Sequence, residues 1–241
     1  MVRSSDAMQE AVKNFQSMNR LKPTGKINEE TKKLMKRSRC GNRDPVSRIK
    51  SRSYGELLPY ELHGSKWTNY KLTYRFKNFS QKMTKEGIIK IVKEAFGMWS
   101  QVTPLRFIES NDKKKRAHID IQFSTRIHCC HEAPPDSAKF EGPGGVMAHT
   151  TYPEDGGEIH VDDDENWRLE YDPKDTNTMS FKYVMVHEIG HVLGLEHSHF
   201  VEGSIMAPYY YNTDVPPNFK LHETDIIAIQ KLYGNQSIKL P

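Results

Sequence analysis

The chain has 241 residues, of which 36% are hydrophobic and 27% charged, with a formal net charge of +4. That is room for one medium domain and a small one, with apolar runs too short to span a membrane and a charge too mild to mark a nucleic-acid binder. Three cysteines, two of them adjacent at Cys129 and Cys130, do not describe a disulfide framework, and Met1-Val2-Arg3-Ser4-Ser5-Asp6 lacks the apolar run of a secretory signal.

In chain order, residues 6–19 set Ala7, Met8, Ala11, Val12, Phe15 and Met18 at helical spacing. Pro23-Thr24-Gly25 is a turn, and Asn28 ahead of Glu29-Glu30 predicts a capped helix running to about Arg37. Two short helices bury little alone and need a third partner or the surface of a larger domain. Residues 41–66, with Arg48, Lys50 and Arg52 among Pro and Gly, read as an exposed, protease-sensitive linker. The texture changes at Trp67. Lys71 to Phe76 alternates as a strand, and residues 84–100 form an amphipathic helix through Ile88, Val92, Ala95, Phe96 and Trp99. Phe107-Ile108 and His118 to Phe123 supply further strands, separated by the solvated run Lys113-Lys114-Lys115-Arg116. Helices follow at about 178–194 and about 222–233. The strand–helix–strand opening predicts a mixed, mainly parallel sheet.

The first of those last two helices carries the chemistry: His187-Glu188-Ile189-Gly190-His191-Val192-Leu193-Gly194-Leu195-Glu196-His197. Positions i and i+4 share one helix face, so His187 and His191 can hold the same ion. Gly194 lets the backbone leave the helix through a conformation that costs other residues more, which brings His197 round as a third nitrogen. Three protein ligands leave a fourth zinc position for water, the mark of a catalytic site. Glu188 stands close enough to take that water's proton.

Shortly after, Ser204-Ile205-Met206-Ala207-Pro208 resembles the Met-turn that lies under the zinc of metzincin proteases. The whole chain resembles a zymogen of the matrix metalloproteinase family. The likeness is carried by Phe15-Gln16, Thr24-Gly25 and Glu30-Thr31 to Met35, then by Lys66-Trp67 and Leu72-Thr73-Tyr74-Arg75. It continues through Gly142-Pro143-Gly144-Gly145, Ala148-His149 and His160-Val161-Asp162 to Asp225-Ile226 and Gln230 to Gly234. It implies an α+β protein: a helical pro-segment over residues 1–44, an activation linker and mature N-terminal segment over 45–65, and a metzincin catalytic domain over 66–235. That domain is expected to have a twisted five-stranded mixed sheet and three helices.

The resemblance also implies roles. Arg39-Cys40-Gly41 is similar to the segment whose cysteine binds the catalytic zinc and displaces its water, and a coordinated thiolate is a strong soft ligand. The competing reading of Cys40 is a free thiol without a role. Arg39 and Asp44 are expected to pair. Ser38, Asn42 and Arg43 depart from the family motif, which has prolines at the first and last of these positions and valine between, so weaker latency is expected. His149 and His160 match structural-zinc ligands. Counting from Phe123 adds His128, counting back from Gly142 adds Asp136, Cys130 is a further candidate, and a strained Cys129–Cys130 disulfide stays open. Asp162 and Glu165, with Glu141 and the carbonyls of Gly142, Gly144 and Val146, suit calcium, against a plain acidic surface run. His118 and Glu158 stand where the family's second calcium site has aspartates.

The implied activity is that of a latent, secreted, monomeric zinc endopeptidase acting on extracellular matrix or other secreted proteins. An activating protease is expected to cut near Arg52-Ser53-Tyr54. An extended peptide is expected to add along the sheet edge, with its first side chain beyond the scissile bond in a pocket bordered by Pro208 and Tyr210 and shaped by residues 211–221. The alternative is a catalytically silent, metal-stabilised module that binds peptides or matrix. Every residue the chemistry needs is present, which weighs against it.

Overall fold

The computed structural model describes residues 4–44, 60–112, 114–126, 128, 139–170, 172, 174–175, 177–199, 201–210 and 218–236. The chain opens with α1 (Ser4–Met18) and α2 (Glu29–Met35), the latter capped by the Asn28 side chain accepting from Thr31 N. Only the second half of the expected α1 stripe is inside: Val12 and Met18 are buried, whereas Ala7, Met8 and Ala11 face solvent. A polar centre joins the two helices. The buried Gln16 donates from Nε2 to Lys26 O (2.8 Å) and Thr31 Oγ1 (2.9 Å), and its Oε1 accepts from Gly25 N (2.9 Å). A buried amide whose partners are all supplied fixes the turn between the helices.

The larger unit is a six-stranded sheet flanked by helices. Its strands are β1 (Arg39–Cys40), β2 (Lys71–Phe76), β3 (Arg106–Glu109), β4 (Ile119–Ser124), β5 (Val146–Thr150) and β6 (Glu158–Asp162), in the order β1-β5-β6-β4-β2-β3. β2 is parallel to β3 and β4, β4 is parallel to β6, and β5 is antiparallel to β6. The mixed, mainly parallel sheet expected from the sequence is therefore present, and five of its strands fall in residues 71–162. The sixth, β1, comes from the N-terminal segment and lies parallel along β5. β7 (Trp167–Arg168) and β8 (Met179–Ser180) form a small separate pair.

Three helices complete this unit: α3 (Lys85–Ser100), α4 (Phe181–Val192) and α5 (Glu223–Tyr233). Each begins one to three residues after its expected start, because Thr84, Ser180 and His222 stand outside as N-caps whose side chains accept backbone N–H bonds. α3 buries Ile88, Val92, Ala95, Phe96 and Trp99, and packs on α4. α4 lies under β5 and β6 and is buried at every position except Lys182. The most enclosed helix of the molecule is thus the one that carries the histidines.

Candidate metal centre and active site

Burying α4 leaves its C-terminal carbonyls to be satisfied inside the protein. Val192 O accepts from Trp67 Nε1 at 2.8 Å, and Leu193 O from the Tyr233 hydroxyl at 2.8 Å. The helix then ends in a Schellman turn, with Leu195 N on Gly190 O (3.0 Å) and Gly194 N on His191 O (2.8 Å). Gly194 has φ +102°, and a Cβ there would run into the Ser65 carbonyl oxygen. Met206 is buried with its Sδ against Gly190, beneath the turn that carries the histidines, so the expected Met-turn packs under the site.

The three histidines are oriented by their outer nitrogens. Nδ1 donates to Ile205 O (2.6 Å) in His187, to Leu195 O (2.8 Å) in His191 and to the Asp44 carboxylate (2.9 Å) in His197. Those acceptors carry no proton, so each Nδ1 must hold one and each Nε2 presents a lone pair. The Nε2 atoms of His187 and His191 are 3.0 Å apart, and the buried Nε2 of His197 has no hydrogen-bond partner. Burial holds all three imidazoles below the ordinary histidine range, His197 to about 3, so they are neutral. Two lone pairs at that distance repel unless a cation lies between them. Cys40 Sγ joins the group, and the four ligand atoms all lie within 4.8 Å of one another. Three nitrogens and a sulfur at such spacing fit a tetrahedral zinc ion.

Beside them, Glu188 is fully buried and accepts from Thr150 Oγ1 (2.5 Å) and from the Tyr210 hydroxyl (2.7 Å). Burial pushes its carboxyl up to about 6, against the two hydroxyls, which lower it. Tyr210 was expected to border a substrate pocket together with Pro208. Its ring is buried and its hydroxyl is committed to Glu188, while Pro208 O accepts from Cys40 N at 3.0 Å. Residues 211–217, including Tyr211, Pro216 and Pro217, lie outside the described residues.

The N-terminal segment lies extended between the β5 edge and residues 208–210. Arg39 N bonds Gly145 O (3.1 Å) and Gly41 N bonds Ala148 O (2.8 Å) on the sheet side, and Tyr210 N bonds Ser38 O (3.0 Å) on the opposite wall. Arg39 pairs with Asp44 at 2.8 Å, as expected. Asp44 also takes His197 (2.9 Å) and His199 (3.1 Å). Burial would raise its carboxyl, but the bonds from His197 and His199, with Arg39, hold it well below the usual carboxylate range. Asn42 is buried, with Oδ1 accepting from Thr150 N (2.7 Å) and its own N–H donating to Cys40 Sγ (3.3 Å).

A second histidine group forms where β5 and β6 pair. His128, His149 and His160 have ligand atoms within 4.8 Å of one another. His128 Nδ1 donates to Arg126 O (2.7 Å) and His160 Nε2 to Glu158 (3.2 Å), which turns His128 Nε2 and His160 Nδ1 towards His149 Nε2, 3.4 and 3.1 Å away. Of the two counts for the first ligand, the one from Phe123 lands on a residue that joins the group. Asp136, Cys129 and Cys130 lie outside the described residues, as does the Arg52-Ser53-Tyr54 cleavage segment. Glu158 is spent on His160 and on Lys77 (2.9 Å), which hold its carboxyl down to about 2.

Asp162 and Glu165 are buried, and burial raises their carboxyls to about 6 and about 7. Asp162 Oδ2 has no hydrogen-bond partner, and Glu165 accepts from Gly144 N at 2.9 Å. An unpartnered buried carboxylate oxygen beside a second acid suits a hard cation. Gly142 and Gly144 turn the loop with φ +90° and +94°, Val146 opens β5, and Glu141 is exposed.

Sequence reasoning missed Thr150 on Glu188, Asn42 on Thr150, and Asp44 on His197 and His199. Each joins residues at least 38 positions apart in the chain, and no local pattern announces them.

The chain is similar to known proteins over most of its length. Residues 66–234 match the family model described as matrixin, and residues 3–35 match one described as a peptidoglycan-binding domain. Human matrix metalloproteinase-15 is 38% identical over 97% of this chain and 35% of its own length. Stromelysin-1 of Equus caballus is 36% identical over 92% of this chain and 43% of its own, and interstitial collagenase of Sus scrofa 35% identical over 96% and 44%. The chain spans 35–44% of the length of these relatives. With most of the chain matched by the matrixin model, it belongs to the matrix metalloproteinase family.

Proposed function

We propose that the chain is a latent zinc endopeptidase whose own N-terminal segment fills its substrate cleft. The observation that carries the reading is the meeting of Cys40 Sγ with the ligand atoms of His187, His191 and His197, next to a carboxylate that can move a proton. Pro-segment 1–44, linker 45–65 and catalytic domain 66–235 are the corresponding units. Bound zinc would supply Lewis-acid polarisation of the scissile carbonyl and of the attacking water. The three imidazoles would hold it through Nε2, kept in the right tautomer by Ile205 O, Leu195 O and, in the latent form, Asp44.

Glu188 takes the water's proton on a carboxylate oxygen and returns it to the leaving amine nitrogen. With β1 withdrawn, the β5 edge offers Gly145 O, Ala148 O and Thr150 N to an extended substrate. Pro208 and Tyr210 border the opposite wall. His128, His149 and His160 would hold a structural zinc, with Asp136 or a cysteine as a further ligand. Asp162, Glu165 and Glu141, with the carbonyls of Gly142, Gly144 and Val146, would hold calcium. The substrates are extracellular matrix or other secreted proteins, the setting is extracellular, the chain acts as a monomer, and a separate protease removes the pro-segment. No described helix is long and apolar enough to cross a membrane.

The test is peptide hydrolysis by the full chain. Wild type should be silent until cut or until Cys40 is modified, Cys40→Ser should be active uncut, and a zinc chelator should abolish that activity. Glu188→Gln in the Cys40→Ser chain should bind zinc yet lose about 10²–10⁴-fold in kcat. A Cys40→Ser chain with full zinc and no hydrolysis would refute the reading.

A further inference from the structure

The base carboxylate is held from two sides, and one hold comes from the sheet edge. Thr150 is the last residue of β5; its Oγ1 donates to Glu188 Oε2 at 2.5 Å and lies 3.4 Å from the Glu188 main-chain oxygen. Tyr210 donates to the other oxygen, Oε1, at 2.7 Å. A carboxylate has about four acceptor sites, so one hydroxyl on each oxygen stops the group from rotating yet leaves sites for a water proton. The Cys40 thiol is near enough to the same carboxylate for each to perturb the other. The space that the pro-segment vacates therefore adjoins this carboxylate. Thr150 also faces that space through its backbone, since its N–H is the donor that Asn42 Oδ1 occupies.

We propose that Thr150 is a positioning residue for the general base, its hydroxyl fixing the Glu188 carboxylate towards the reacting water. The inference rests on Glu188 being the base. Valine at 150 keeps the volume and suits a strand but removes the donor; serine keeps the donor.

The experiment uses the full Cys40→Ser chain with Thr150, Thr150→Ser and Thr150→Val. The valine variant should lose about 10-fold or more in kcat, the scale set by misplacing a reacting group. Its KM should stay within about twofold, because an interaction with the base acts on the chemical step. Zinc per chain should not change, and the serine variant should keep most of the parent's kcat. An undiminished kcat in Thr150→Val, a loss confined to KM, or a serine variant as slow as the valine one each overturns the proposal.

A silent parent would strike the peptidase reading instead, and a second measurement then decides. Thr150→Val should lower the thermal unfolding midpoint beside Glu188, where the carboxylate loses a donor. The shift should shrink in a Glu188→Ala chain, where the hydroxyl keeps only its longer contact with the main-chain oxygen at position 188. Equal shifts in the two backgrounds overturn the assignment.

Discussion

Asn42 stands where the family motif has valine, and its side chain does what valine cannot. Its Oδ1 takes the buried N–H of Thr150 at 2.7 Å, so the pro-segment satisfies an edge-strand donor with an amide rather than with its backbone. The prolines absent at positions 38 and 43 leave the unbound segment more conformational freedom to lose on docking, and Asn42 opposes that loss with a contact made only when docked. Asn42→Val would leave the Thr150 N–H unpaired at a cost on the order of 1–3 kcal/mol. That cost raises the population with the segment out of the cleft by about 5–150-fold. The expected outcome is faster reaction of Cys40 with a thiol reagent in the uncut chain, by a factor in that range. An unaltered rate would show that the amide contributes nothing to docking.

At the scale of elements, what could be read in the sequence is what local chemistry decides. Asn28 caps α2 as its residue type predicts, and Lys71 to Phe76 forms β2 as its alternation predicts. β5 shows no alternation because both faces are covered, whereas β6 alternates polar with apolar yet is buried on both faces, and neither is among the strands expected from the sequence. β1 is two residues long and exists because the β5 edge is there to pair with, so nothing in its own sequence could announce it. The outer face of α1 misled the reading for the opposite reason: Ala7, Met8 and Ala11 have helical spacing with no partner among the described residues, while Gln16, a polar residue, is the true centre. The turn after α4 was legible because one atom decides it. Gly194→Ala would force a side chain into positive φ, at about 1–2 kcal/mol, and press its Cβ on the Ser65 carbonyl. The midpoint of unfolding should fall by about 2–4 °C for each kcal/mol lost. Because the turn also aims His197, zinc per chain should fall too; full zinc with only a lower midpoint would mean that the loop re-aims His197 without the glycine.

For the molecule as a whole, the buried histidine and carboxylate clusters sit where separate elements meet. His187 and His191 on α4 face Cys40 on β1, His149 on β5 faces His160 on β6, and Asp162 at the end of β6 faces the loop that enters β5 through Glu165 and Gly144. Each meeting gathers like groups, lone pairs or carboxylates, that repel without a cation and would bind across the junction with one. A cation held only by the folded chain stabilises it by about 2.7 kcal/mol when present at a hundredfold excess over its Kd. The three junctions respond differently when ions are withdrawn from the uncut chain. Removing calcium alone should lower the unfolding midpoint and leave Cys40 unreactive, because neither Asp162 nor Glu165 is among the groups that meet Cys40 Sγ. Removing zinc as well should lower the midpoint further and open Cys40 to alkylation, because the thiol has then lost the ion that holds it among His187, His191 and His197. Thermal scans, Cys40 labelling and metal counts by mass on the same samples separate the steps. If zinc removal left Cys40 protected, hydrogen bonds such as Asn42 to Thr150 and Asp44 to His197 would hold the segment alone, and the metal would not be part of the lock.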